Sequence, residues 1–184
     1  MHPLDNEALK QGAKAVRRRR LDAENRQDFI GLLGRIVVIL LCAWVLFTQV
    51  FLLTQAKGSS MFPAVKDGDL LICYRPQKTY AKNDVVVYTQ GGKLRVGRIL
   101  GREGDLVALD DSGTLVVNGA VQSGEILYPT YAKDALEYPY TVPEGCFFVL
   151  GDYRTQSEDS RDFGPIPLED VQAKVITLLR RRSL

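Results

Sequence analysis

The chain has 184 residues, with 24 Lys+Arg against 22 Asp+Glu and a formal net charge of +2. That length allows one medium domain plus an appendage, and a balance this near neutrality argues against a dedicated nucleic-acid binder. Its single histidine is His2, so a Ser-His-Asp triad would need the extreme N-terminus folded back into a site. The cysteines, Cys42, Cys73 and Cys146, have neither metal-site spacing nor the number of a disulfide framework. Only Cys73 and Cys146 are open to pairing, and no metal or other cofactor is expected.

Residues 1–34 form a basic N-terminal segment containing Lys10, Lys14, Arg17 to Arg20 and Arg26. The plain reading of a run such as RRRR is a solvated tail. Context gives it more meaning, because residues 36–53, IVVILLCAWVLFTQVFLL, carry no charge. Such a run covers a hydrocarbon core of ~30 Å at ~1.5 Å per residue. A buried core helix fits less well, since a surface apolar all round needs lipid or a large core about it. A cleavable signal peptide starts nearer the N-terminus and has a shorter apolar region. Residues 35–54 are therefore expected to be a single transmembrane anchor helix in the cell membrane, with Arg35 at the interface. The excess of Lys and Arg before the span, against Lys57 alone just after it, puts the N-terminus in the cytoplasm. Residues 55–184 are then extracytoplasmic. Arg180 to Arg182 lie too far along a translocated domain to alter this.

After the span come short runs rich in β-branched and aromatic residues: 69–74, 84–89, 93–100, 105–110, 114–119 and 146–151. KDGD, GG, REGD, DDSG and VPEG separate them as turns. DDSG followed by TLVVNG predicts a hairpin. PLEDVQAK, residues 167–174, predicts a short helix opened by Pro167. Residues 120–141, with their prolines and tyrosines, read as a surface excursion whose rings pack the loop or touch a partner. The fold class is mainly β, behind one transmembrane helix.

The stretch GSSMFPAVKDGD, residues 58–69, sets a serine before Met-x-Pro. GSSMFPAV, DGDLLICYR, KNDVVVY, VGRILGREGD and VPEGCFFVLGDYRTQSEDSRDFGPIP follow one another in an order that resembles the conserved boxes of type I signal peptidases, in the short Gram-positive-like form. The resemblance runs from the span almost to the C-terminus. It implies a β catalytic domain that cleaves signal peptides from exported preproteins through a serine nucleophile and a lysine base. Ser60 matches the nucleophile, with its own amide as part of an oxyanion hole. Gly58, Met61 and Pro63 match the surrounding box. Arg98, Ser157, Asp159, Ser160 and Arg161 match residues that shape the site, Ser157 being the one that would bond the lysine amine.

Three positions depart from that pattern. Gly97 stands where the family has its lysine, Glu103 replaces a proline, and Tyr153 replaces an asparagine. Arg95 and Arg98 cannot serve as bases, because guanidinium stays protonated. Lys93 lies four residues from Gly97, ~13 Å along a strand, and Lys57 sits on a turn beside the span. The resemblance implies one of two functions: a signal peptidase with impaired cleavage, or a non-catalytic relative that binds exported or pilus proteins during their assembly. The expected partners are exported preproteins or their signal peptides and the lipid bilayer, with pilus-assembly proteins in the second case.

Overall fold

A computed structural model describes residues 28–122 and 128–180. The basic segment 1–27 with His2, residues 123–127 and Arg181–Arg182 lie outside the described residues. The chain divides into two compact units, residues 1–47 and 48–184. In the first, the helix α1 begins; it runs over Asp28–Val50, 23 residues, and is long and apolar enough to cross a membrane. At ~1.5 Å per residue it spans roughly 35 Å. It starts before the expected boundary at 35 and stops before 54.

The last residues expected in the span instead form β1, Phe51–Gln55. Alternation explains the switch. Leu52 packs against the first hydrophobic core while Leu53 stays exposed, a period of two that a helix cannot satisfy. β1 pairs antiparallel with β2, Leu70–Tyr74, from Phe51 opposite Tyr74 to Gln55 opposite Leu70.

β3 (Val85–Gln90), β4 (Lys93–Arg102), β5 (Leu106–Leu109), β6 (Leu115–Val117) and β9 (Cys146–Leu150) fall on the expected runs. β5 and β6 make the hairpin across DDSG. Short strands β7 (Ala120–Val121) and β8 (Tyr140–Thr141) flank the excursion, and β10 is Ile166–Pro167. A one-turn helix α2 spans Ser160–Phe163. With β11 at Val171–Leu179, a seven-stranded sheet has the order β1-β2-β11-β3-β4-β9-β10, and a four-stranded sheet the order β7-β6-β5-β8.

The predicted helix over 167–174 is corrected. Only Leu168–Asp170 form a 3-10 turn, and Val171–Leu179 is β11, lying between β2 and β3. Its pairing shifts register between Val171 and Ala173 and again between Val175 and Thr177. Each shift inserts an unpaired residue and spoils the alternation that marks a strand.

Core residues lie on both faces of the larger sheet around β3 and β4. Val87 joins Met61, Val65, Leu71, Cys73 and Ala173 on one face. Val86, Tyr88, Ile99, Val149 and Ile166 form the other. A further cluster of Leu100, Val107, Leu115, Val142 and Phe148 fills the junction with the smaller sheet. Cys73 and Cys146 are both free, and burial pushes the Cys73 thiol up to about 11.

Candidate functional site around Ser60

β1 leads directly into the turn that carries Ser60. The amide of Ala56 donates to the Asp69 carbonyl and that of Gly68 to the Ala56 carbonyl, closing the base of the loop. Within it, the Phe62 amide donates to the Ser59 carbonyl and the Val65 amide to the Met61 carbonyl. Gly58 has a φ of +80°, a conformation other residues rarely adopt, and its amide donates to Asp67 Oδ1 at 2.7 Å. Met61 is 2% exposed and pins the turn into the core. Pro63 follows a cis peptide bond. Ser60 is left half-buried at the surface. Among the described residues its hydroxyl has no hydrogen-bond partner.

The segment Gly151–Arg161 packs against this turn. The Tyr153 amide donates to the Ser60 carbonyl at 2.9 Å. A Cβ on Gly151 would lie 2.6 Å from the Ser60 carbonyl oxygen and 2.8 Å from Ser157 Oγ, so Ser60 and Ser157 crowd one point. Glycine is required there by close approach rather than by φ. The Ser157 hydroxyl donates to Asp159 Oδ2 at 2.6 Å. Asp159 caps α2 and forms a capping box with Asp162. Arg161 donates to both Asp159 oxygens, at 2.9 and 2.8 Å, and this pair is 1% exposed on each side. Burial alone would raise the Asp159 carboxyl. The hydrogen bond and charge of Arg161, with the Ser157 hydroxyl and the Gly151 amide, outweigh it and hold the group below its ordinary value. Ser160 Oγ accepts from the Val149 amide, tying α2 to β9. Arg98 forks onto Asp152 at 2.8 and 2.7 Å.

Gly97 lies in the middle of β4, opposite Val86 on β3. A Cβ there would meet Val149 Cγ1 at 2.5 Å, Tyr88 Cε1 at 3.1 Å and the Leu150 carbonyl oxygen at 3.4 Å. The space a side chain would enter is occupied. On the same face, Arg95 pairs with Glu158 at 2.8 Å and its guanidinium lies 5.6 Å from the Phe163 ring centre. The neighbourhood of position 97 is thus an apolar wall of Val149 and the Tyr88 ring, within a cluster that includes Val86 and Ile99, already closed up where a side chain would stand.

Neither lysine weighed as a substitute lies in the gap. Lys93 is exposed at the far end of β4, opposite Gln90, and Lys57 is exposed before Gly58. Lys133, which the sequence did not single out, does contact Ser157. Its ammonium donates to the Ser157 carbonyl at 2.7 Å and to both Asp162 oxygens at 2.9 and 2.7 Å. With its donors so engaged it is a clamp, not an acceptor for a serine proton.

Lys133 belongs to a strap, residues 128–133, fixed across Gly151–Arg161. Tyr128 stacks on Tyr153 at 4.4 Å, and Phe62 tilts against Tyr153 at 6.2 Å. Arg154, 2% exposed, donates to the Gly151 carbonyl and to Thr130 Oγ1. Arg161 donates to the Tyr131 carbonyl. Tyr138 and Tyr140 pack on Phe148. Sequence reasoning missed Tyr88, Asp152, Arg154, Thr130, Lys133 and Glu158. Arg95 was weighed only as a base, although its place two residues before Gly97 puts it on the same face of the strand.

The family model described as signal peptidase, peptidase S26 matches residues 29–179. The chain belongs to this signal peptidase family. It is 32% identical over 136 residues to signal peptidase I of Bacillus caldolyticus, covering 65% of this chain and 74% of that protein. Against signal peptidase IB of Staphylococcus aureus it is 33% identical over 139 residues, covering 65% and 72%. A crystal structure of a signal peptidase I from Enterococcus faecalis V583 aligns at 31% identity and a TM-score of 0.46, over 54% of this chain and 97% of that one. The chain spans only 34% and 39% of the length of two Arabidopsis thaliana thylakoidal processing peptidases that it also matches. In this signal peptidase family member hydrogen bonds hold the turn bearing Ser60 and the Ser157–Arg161 group in place, while position 97 has no side chain.

Proposed function

We propose that this protein is a membrane-anchored signal-peptidase relative that holds the signal-peptide junction of exported preproteins and cleaves it poorly or not at all. One observation carries the reading: Val149 and Tyr88 fill the place of a side chain at Gly97, while the turn at Ser60 is otherwise well formed. A serine hydroxyl is a poor nucleophile at neutral pH without a base in reach, and loss of a base commonly costs ~10²–10⁴ in rate. Binding needs no base. Main-chain hydrogen bonds to a strand edge supply it, and β1, an edge strand, leads straight to Ser60. The basic segment before the span supports a cytoplasmic N-terminus, with residues 55–184 as the extracytoplasmic part.

The test is a titration of the full chain, in detergent or nanodiscs, with a fluorescent peptide spanning a signal–mature junction. Saturable binding, retained by Ser60→Ala, is the expected result. No binding at peptide concentrations up to the millimolar range would overturn the reading.

A further inference from the structure

β4 ends at Arg102, which lies opposite Phe147 of β9 in register. Residues directly opposite on antiparallel strands share a face, and here both line one cleft. The Phe147 ring meets Tyr80 edge-on, with 5.6 Å between centres. Tyr80 is 6% exposed, and its hydroxyl donates to the Gln77 carbonyl at 3.0 Å. That bond fixes the loop carrying Lys78, which also lines the cleft. Leu168, 41% exposed on the 3-10 turn, completes the apolar part. The volume is about 340 Å³, at the small end of ligand sites, which run to ~1,000 Å³. None of the lining residues belongs to the Ser60 turn or to Gly151–Arg161.

The charges in this cleft are unbalanced. Other cations of the same sheet have acids: Lys82 pairs with Asp105, Arg98 with Asp152 and Lys174 with Asp84. Among the described residues the side chains of Lys78 and Arg102 have no ion-pair or hydrogen-bond partner. The carboxylate that lines the cleft is Glu103, which stands where the sequence resemblance implies a proline. It accepts from the Gly145 amide at 2.9 Å, a bond that proline could not supply, and pairs with neither cation. Two positive charges are thus left beside an apolar floor of Phe147 and Leu168.

We infer that this cleft binds a small organic phosphate, one anionic head on a single apolar ring or short chain. The Arg102 guanidinium offers a fork of donors to phosphate oxygens, and the Lys78 ammonium adds a point charge. A dianionic phosphomonoester matches their summed charge, and its apolar body lies against Phe147 and Leu168. The site is independent of the peptide-holder reading.

The probe is phenyl phosphate, titrated by ligand-observed NMR into the full chain in phosphatidylcholine nanodiscs. The expected result is saturable binding with a Kd on the order of millimolar for so small a ligand, and phenol or inorganic phosphate alone at least about tenfold weaker. Arg102→Gln and Lys78→Gln should each raise the Kd about five- to tenfold. Glu103→Gln keeps an acceptor for the Gly145 amide and removes a like charge, so it should lower the Kd about twofold. All three exchange exposed side chains, so the thermal midpoint should stay at the wild-type value. No saturation by phenyl phosphate, or an unchanged Kd in Arg102→Gln, overturns the inference. Nanodiscs doped with phosphatidic acid identify the source, at a salt concentration of ~0.15 M that screens surface charge beyond about 8 Å. A Kd for phenyl phosphate raised about threefold there supports a lipid headgroup in the cleft, and an unchanged Kd supports a free organic phosphate.

Discussion

Substituting lysine at Gly97 looks at first like a repair, since the sequence resemblance implies a lysine at that position. The packing predicts otherwise. The new Cβ alone would stand 2.5 Å from Val149 Cγ1 and 3.1 Å from Tyr88 Cε1. The valine methyl is one bond from a main-chain-fixed Cβ on β9, and Val149 is 0% exposed, so it has little room to yield. Overpacking of this kind costs about 1–3 kcal/mol. For a domain of this size, that lowers the thermal midpoint by roughly 3–12 °C. Gly97→Lys is therefore expected to be destabilised and to remain at the wild-type level of cleavage. Adding Val149→Ala removes the obstructing methyls and should recover much of the loss, with a coupling of about 0.5–3 kcal/mol between the two sites. The assay is thermal or chemical unfolding of the solubilised chain, with preprotein cleavage measured in parallel. A Gly97→Lys variant as stable as wild type, or one that cleaves efficiently alone, would refute the argument from occupied space.

Thr130→Val removes the acceptor for buried Arg154 Nη1 and leaves a donor unsatisfied, at about 1–3 kcal/mol; hydrogen exchange should rise first in residues 128–133. The pH dependence of stability should carry an acid limb from Asp159. Its folded pKa is depressed, so its contribution is complete above the unfolded value of about 3.9 and is lost as pH falls through the lower folded value. Asp159→Asn should flatten that limb in denaturant titrations. Cys73, 0% exposed with a thiol raised to about 11, should resist maleimide at neutral pH until the domain unfolds.

Much of this was legible in the residues themselves. The span is plain because an uncharged run of that length has few other uses, although its end is not: Phe51–Gln55 are apolar enough for either helix or strand, and only pairing with β2 decides. Six strands were readable from β-branched runs between turn residues. β11 was not, because its two register shifts break the alternation, and Pro167 followed by acidic residues imitates a helix start. At the site, Ser60 and the Ser157–Arg161 group were visible as local patterns. What fills Gly97 was not, because Tyr88 and Val149 come from the strands on either side of β4. Their approach depends on register, which a linear pattern does not encode. Lys133 and Arg154 act across the strap in the same way, through contacts 24 residues apart in sequence.

The most direct test of the central claim is single-turnover cleavage of a model preprotein by the full chain, at enzyme excess and near-neutral pH, with Ser60→Ala alongside. The account predicts saturable association and a rate that stays close to that of Ser60→Ala. Efficient cleavage by wild type at the junction, abolished in Ser60→Ala, would contradict it and mean that a base reaches Ser60 by a route other than position 97.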